Sequence, residues 1–183
     1  MLITPFDLAK EPLEINQTLP AGAMDYTPDV LQSGPLTVTG QADLLVEHHG
    51  HKEVVEDIRL RAHYDGDFTL LCARCLDPVP QHLAGDFDLI FRPEAADSDS
   101  GERSISEEET EIGYYEERGL VLEDVVREQV LLSLPSRTLC ESVCKGLCQH
   151  CGINLNTATC DCGKAPADPR WSALAGLAGK LGS

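Results

Sequence analysis

Hydrophobic and polar residues alternate along the middle of this chain. Leu36, Val38 and the stretch Gly40 to Val46 make one β run, and Ile58, Leu60, Ala62 and Tyr64 alternate with Asp57, Arg59, Arg61 and His63 in a second. A period of two puts the apolar set on one face of a sheet and the charged set on the other. Asp65-Gly66 is a residue pair favoured in two-residue hairpin turns, and Phe68, Leu70 and Cys72 resume the alternation as a return strand. Leu83, Gly85, Phe87, Leu89 and Phe91 then alternate with Ala84, Asp86, Asp88 and Ile90. From Pro35 to Phe91 the pattern predicts an antiparallel meander of about four strands.

The period changes after residue 120. Leu122, Val125, Val126, Gln129, Val130 and Leu132 recur at helical spacing until Pro135 stops the run, which predicts a helix over 122–134 able to cover one face of the sheet. Residues 93–111 are polar, acidic and without period, which reads as a mobile loop, and Ile112 to Tyr115 adds a short strand. Asp168-Pro169 combines an N-cap with proline at the first helical position and predicts a short C-terminal helix over 169–180. Residues 1–34, punctuated by Pro12, Pro20, Gly22, Pro28 and Gly34, read as an extended arm. The fold class is therefore α+β. An arm (1–34) precedes an acidic β-rich core with its helix (35–135), and a cysteine-rich tail (136–183) follows.

Composition narrows the classes. The chain has 183 residues, 42% hydrophobic, enough for one substantial core and a small appendage. No run approaches the ~20 apolar residues of a membrane helix. The first residues lack a basic, apolar, cleavable pattern, so the chain reads as cytosolic. In a reducing compartment its eight cysteines point to metal or redox chemistry rather than to a disulfide scaffold. The formal charge of −17 is concentrated upstream: residues 127–183 hold 6 bases against 4 acids, whereas residues 86–126 hold 14 acids against 3 bases. Such a body repels a phosphate backbone and attracts a basic protein.

The candidate chemistry lies in the cysteines. Cys148-x2-Cys151-Gly152 has the form of a metal knuckle, in which two thiolates grip one ion and glycine permits the turn. Cys160 and Cys162 follow closely enough to complete a four-sulfur shell, and such a closed shell makes a zinc ion structural. Cys72, Cys75, Cys140 and Cys144 form a second possible set if the fold brings residues 75 and 140 together. The alternatives are buried reduced thiols, an iron–sulfur cluster, and a redox-active Cys72/Cys75 pair, although that last chemistry belongs at a helix N-terminus in a βαβ setting. His48, His49 and His51 surround Gly50 at a hairpin turn and read as solvent-exposed, as does His150 inside the knuckle.

Taken together, these motifs resemble the YceD family of large ribosomal RNA subunit accumulation proteins. The resemblance is carried by Cys72-Ala73-Arg74-Cys75-Leu76 and the helix Glu123 to Leu134 ending in Leu134-Pro135. It continues through Leu139-Cys140, Cys144-Lys145-Gly146-Leu147-Cys148 and Cys151-Gly152-Ile153-Asn154-Leu155-Asn156 to Asp168-Pro169-Arg170-Trp171. It implies a non-enzymatic accessory factor in 23S rRNA accumulation and large-subunit assembly, in a family found in bacteria and plastids whose genes commonly neighbour one for a zinc-ribbon ribosomal protein. It further implies that Arg74 has a structural or partner-contacting role, and that the zinc is scaffolding, because the tail cysteines vary among members. With the charge, it points to a basic large-subunit ribosomal protein or assembly factor as partner. Direct rRNA contact through Arg137, Lys145, Lys164, Arg170 and Trp171 is the rival binding mode, and a thiol oxidoreductase using Cys72 and Cys75 is the enzymatic alternative.

Overall fold

A computed structural model of the chain describes residues 1–49, 53–97, 112–116 and 118–162. In chain order the elements are β1 (Leu2–Ile3), α1 (Pro5–Leu8), β2 (Leu13–Leu19), β3 (Val30–His49), β4 (Glu53–Leu71), β5 (Pro78–Pro93), a 3-10 turn (Glu94–Asp97), β6 (Ile112–Tyr115), β7 (Leu120–Val121) and α2 (Leu122–Ser133). The main sheet has the order β2-β3-β4-β5-β6, with β1 and β7 paired separately. Strands β2 to β5 are antiparallel neighbours, and β6 lies parallel to β5, Ile90 opposite Ile112. This is an α+β arrangement.

The alternation read from the sequence is the alternation of the sheet. Leu36 and Val38 of β3, Ile58, Leu60, Ala62 and Tyr64 of β4, and Leu83, Phe87 and Phe91 of β5 are all buried in one core. Helix α2 covers that face with Leu122, Val125, Val126 and Val130, and stops where Leu134, ahead of Pro135, turns extended at ψ 137°. Glu123 and Asp124 in its first turn suit the positive end of the helix dipole. Among the described residues no helix is long and apolar enough to cross a membrane.

The Asp65-Gly66 turn is not formed. Both residues lie inside β4, paired with Thr37 and Leu36 on one side and with Ala84 and Leu83 on the other, so the two strands predicted around them are one. Glycine serves there for close approach, since a Cβ at residue 66 would sit 2.7 Å from Leu36 Cδ1. The local irregularity belongs instead to β3, which shifts register between Gln32 and Leu36.

The first 34 residues are also more ordered than an extended arm. Leu13–Leu19 pair with Leu36–Ala42 along β3, and β3 itself begins at Val30. Ile15 and Leu19 enter the core, which draws the segment onto the sheet edge. Of the acidic stretch 93–111, Pro93 ends β5, residues 94–97 form the 3-10 turn and 98–111 lie outside the described residues, as does the helix predicted over 169–180.

The opposite face of the sheet is polar. Arg59 binds Asp88 through two hydrogen bonds of 2.8 and 2.6 Å, Arg61 meets Asp43 at 2.5 Å, His63 meets Asp86 at 2.9 Å, and His82 sits between Asp65 and Asp67. At the end where β6 joins, Asp57 and Arg92 form a buried ion pair, with Nη2 to Oδ2 at 2.8 Å. Tyr115 closes the same corner by donating to the Glu56 carbonyl at 2.6 Å.

Candidate metal centres

The turn between β4 and β5 is built around its own first cysteine. Cys72 N donates to the Asp77 carbonyl at 2.9 Å and Leu76 N to the Cys72 carbonyl at 2.9 Å, which folds Cys72 and Cys75 to the same side. Leu76 closes this turn with φ +63°, the left-handed conformation that Gly152 adopts at the same place in the Cys148–Cys151 knuckle with φ +73°.

The segment after α2 is tied to that turn. Ala73 N donates to the Thr138 carbonyl at 2.8 Å, Leu147 N to the Arg74 carbonyl at 2.9 Å, and Arg74 Nη1 to the Cys144 carbonyl at 2.7 Å. Gly146, at φ +77°, leaves space that a Cβ would take, 2.9 Å from the Arg74 carbonyl oxygen. Cys140 and Cys144 are thereby delivered to Cys72 and Cys75, and the four sulfurs lie within 4.8 Å of one another. Cys72 and Cys144 are 3.8 Å apart and Cys75 and Cys140 3.5 Å, far beyond a disulfide bond. A tetrahedral ion held by four sulfurs at about 2.3 Å sets its sulfurs about 3.8 Å apart, so this inner cluster fits one. Cys72, Cys75 and Cys144 are buried under Val79, Leu139 and Leu147.

The tail knuckle makes a second cluster. Cys148 N donates to the Ile153 carbonyl at 2.8 Å and Gly152 N to the Cys148 carbonyl at 2.9 Å, turning the chain so that Cys148, Cys151, Cys160 and Cys162 also lie within 4.8 Å of one another. Each cluster can hold a metal ion. This outer one is the more open to solvent, with Cys151 exposed and the other three half-buried, and His150 is exposed beside it.

Electrostatics differ from thiol to thiol. Burial pulls the Cys72 thiol upward, but the amides of Arg74, Cys140 and Cys75 outweigh it and bring it down to about 6. Cys148 is likewise lowered to about 6 by the amides of Cys151 and His150 and by the Cys160 thiol. Cys162 is pushed up to about 12 by the Cys151 thiol and by burial. At Cys75 the Asp77 amide acts downward, and burial, the Asp77 carboxylate and the neighbouring thiols raise it overall. Each cluster thus favours one thiolate by itself, and a cation is what would let the remaining thiols ionise beside it.

The fold brings both predicted sets of four together. It does not separate Cys72 and Cys75 as an isolated redox pair, because both sit among the sulfurs of Cys140 and Cys144. Arg137 and Lys145 are exposed, while Lys164, Arg170 and Trp171 lie outside the described residues. Residues His48 and His49 end β3, and Gly50 and His51 are outside the description. Three polar residues that cysteine spacing does not mark, Asp77, Asn154 and Asn156, also surround the inner cluster. Cys75 Sγ donates to Asp77 Oδ2 at 3.2 Å, Asn154 Nδ2 donates to the same oxygen at 3.0 Å, and Asn156 Nδ2 donates to Cys144 Sγ at 3.3 Å.

Residues 60–178 match the family model described as "Large ribosomal RNA subunit accumulation protein YceD". The chain belongs to the YceD family. All eight cysteines fall inside the matched region, whereas β1, α1, β2 and β3 precede it. Among curated relatives, a protein of Arabidopsis thaliana named "Large ribosomal RNA subunit accumulation protein YCED homolog 1, chloroplastic" is 26% identical over 130 residues, 60% of this chain and 40% of that protein. An uncharacterized protein of Mycobacterium tuberculosis is 31% identical over 109 residues, 59% of this chain and 49% of that one. A Zea mays protein with the same name as the Arabidopsis relative is 25% identical over 117 residues. The chain spans about half the length of these relatives or less. No solved structure matches this YceD-family chain.

Proposed function

We propose that this protein is a non-enzymatic accessory factor in ribosome biogenesis, supporting 23S rRNA accumulation and large-subunit assembly in the cytoplasm. The observation that carries the reading is the family match over 60–178, whose description names rRNA accumulation and whose span contains both cysteine clusters. The clusters are two structural Zn²⁺ sites, Cys72, Cys75, Cys140 and Cys144 in one and Cys148, Cys151, Cys160 and Cys162 in the other. Four sulfurs around each ion leave no position open for a substrate, which supports scaffolding rather than catalysis. Each filled site adds about −2 of formal charge to a chain already at −17.

The acidic body binds a basic large-subunit ribosomal protein or assembly factor. Its open sheet face supports this, with Glu14, Asp43, Asp65, Asp67, Asp86 and Asp88 against Arg59, Arg61 and two histidines. Pulldown at low salt, where screening is weakest, recovers a basic large-subunit protein or assembly factor if the reading is right. Recovery of neither contradicts it. Exposed Arg137 and Lys145 favour a second reading, direct rRNA contact by the tail, in which affinity for an rRNA fragment falls steeply with salt and is lost when those charges are reversed.

A further inference from the structure

The motif that follows the outer knuckle, Gly152-Ile153-Asn154-Leu155-Asn156, is longer than a metal turn requires, and its two asparagines face the other cluster. Asn156 Nδ2 donates to Cys144 Sγ at 3.3 Å, and its Oδ1 accepts from Lys145 N at 2.7 Å, so the side chain bridges the sulfur and the backbone of the inner site. Asn156 N donates to Asn154 Oδ1 at 3.0 Å, and Asn154 Nδ2 donates to Asp77 Oδ2, the carboxylate oxygen that also receives Cys75 Sγ. The inner site is therefore contacted directly at Cys144 by Asn156, which Asn154 braces, while the Asp77 carboxylate that Asn154 also holds receives Cys75 Sγ only as long as that thiol keeps its proton.

The turn that carries them is fixed from the outer site. Its first end is anchored by Cys148 and Cys151 and its second by Cys160 and Cys162, while Leu155 N to the Gly146 carbonyl at 2.9 Å and Ala158 N to the Asn154 carbonyl at 3.0 Å hold its middle. Closing four outer sulfurs around one ion immobilises both ends of this turn. It thereby holds an amide donor on a thiolate of the inner site, where a hydrogen bond to the charged sulfur strengthens its hold on a cation.

We infer that the two metal sites are positively coupled, with Asn154 and Asn156 as the positioning residues that transmit occupancy of the outer cluster to the inner one. The inference rests on the zinc reading above and adds a direction and a route to it. By linkage, a metal in the inner site tightens the outer site by the same factor.

Competition with a chromophoric chelator of known affinity, at fixed pH, tests this on the full chain. The wild type binds two zinc ions with an overall affinity about 10–100-fold above the product of two single-site affinities, taken from Cys148→Ser/Cys151→Ser (inner site only) and Cys72→Ser/Cys75→Ser (outer site only). Asn156→Ala keeps all eight cysteines and brings that factor to unity. Asn156→Asp, which keeps the acceptor for Lys145 N and loses the donor to Cys144, does the same. A Cys148→Ser/Cys151→Ser/Asn156→Ala protein binds its remaining zinc as Cys148→Ser/Cys151→Ser does. Equality of the wild-type affinity with the product, or an unchanged factor in both Asn156 variants, overturns the coupling while leaving two zinc sites standing. A wild type that holds no zinc removes the underlying reading and the coupling with it.

Discussion

Replacing Arg92 by methionine strips the counter-charge from a buried carboxylate. Asp57 is 2% exposed and Arg92 7%, and they meet through Nε to Oδ1 at 3.2 Å and Nη2 to Oδ2 at 2.8 Å. Methionine fills most of the arginine stem's volume, so packing is largely kept. Breaking one partner of a buried pair costs about 3–5 kcal/mol, because the remaining ion is left without solvent or partner. For a chain of this size that corresponds to a fall in Tm of about 6–20 °C, at roughly 2–4 °C per kcal/mol. Asp57→Val combined with Arg92→Met removes both charges and recovers most of the loss, since an apolar pair of similar volume commonly equals a buried ion pair. Thermal unfolding followed by circular dichroism, in saturating zinc so that metal linkage is constant, measures both. A loss below about 1 kcal/mol for Arg92→Met, the level of an exposed pair, would refute the reasoning, as would a double variant no more stable than the single one.

Other outcomes follow from single positions. Gly152→Ala forces a side chain into φ +73° and destabilises the outer knuckle by about 1–2 kcal/mol, whereas Leu76→Gly relieves the same strain and leaves stability unchanged or higher by up to about 1 kcal/mol; urea unfolding reads both. Gly40→Ala places a Cβ 2.2 Å from the Arg61 carbonyl oxygen and 2.6 Å from Ala62 Cα, backbone atoms that must move, and costs about 1–3 kcal/mol by the same assay. His82 is raised above 6.5 by its hydrogen bond to Asp67 and the charge of Asp65, so its contribution to stability is fully present below the unfolded value and lost as pH rises through the raised one. His82→Asn accordingly lowers Tm at acidic pH and matches the wild type at alkaline pH; a deficit that stays constant with pH contradicts this.

The strands were legible where period two ran, as in Leu36 to Ala42, Ile58 to Tyr64 and Leu83 to Asp88. Asp65-Gly66 misled because the dipeptide favoured in turns also suits a crowded strand position, and only the neighbouring Leu36 distinguishes them. The sheet-edge strand had a signal of its own. Leu13, Ile15 and Leu19 keep the alternation between Pro12 and Pro20, with Gln17 as the one polar break. Both sets of cysteines were readable from spacing, but the closeness of Cys75 to Cys140 depends on the hydrogen bonds that dock residues 138–147 onto the β4–β5 turn. Asn154 and Asn156 carried no such signal, since the sulfur that Asn156 contacts lies 12 residues earlier and the carboxylate that Asn154 contacts lies 77 residues earlier.

Native mass spectrometry of the zinc-saturated chain addresses the central claim most directly. Two four-sulfur sites predict two zinc ions in the wild type, one in Cys72→Ser and one in Cys148→Ser. A single zinc in the wild type, lost only in Cys148→Ser, would contradict the inner site and leave the β4–β5 turn held by protein contacts alone.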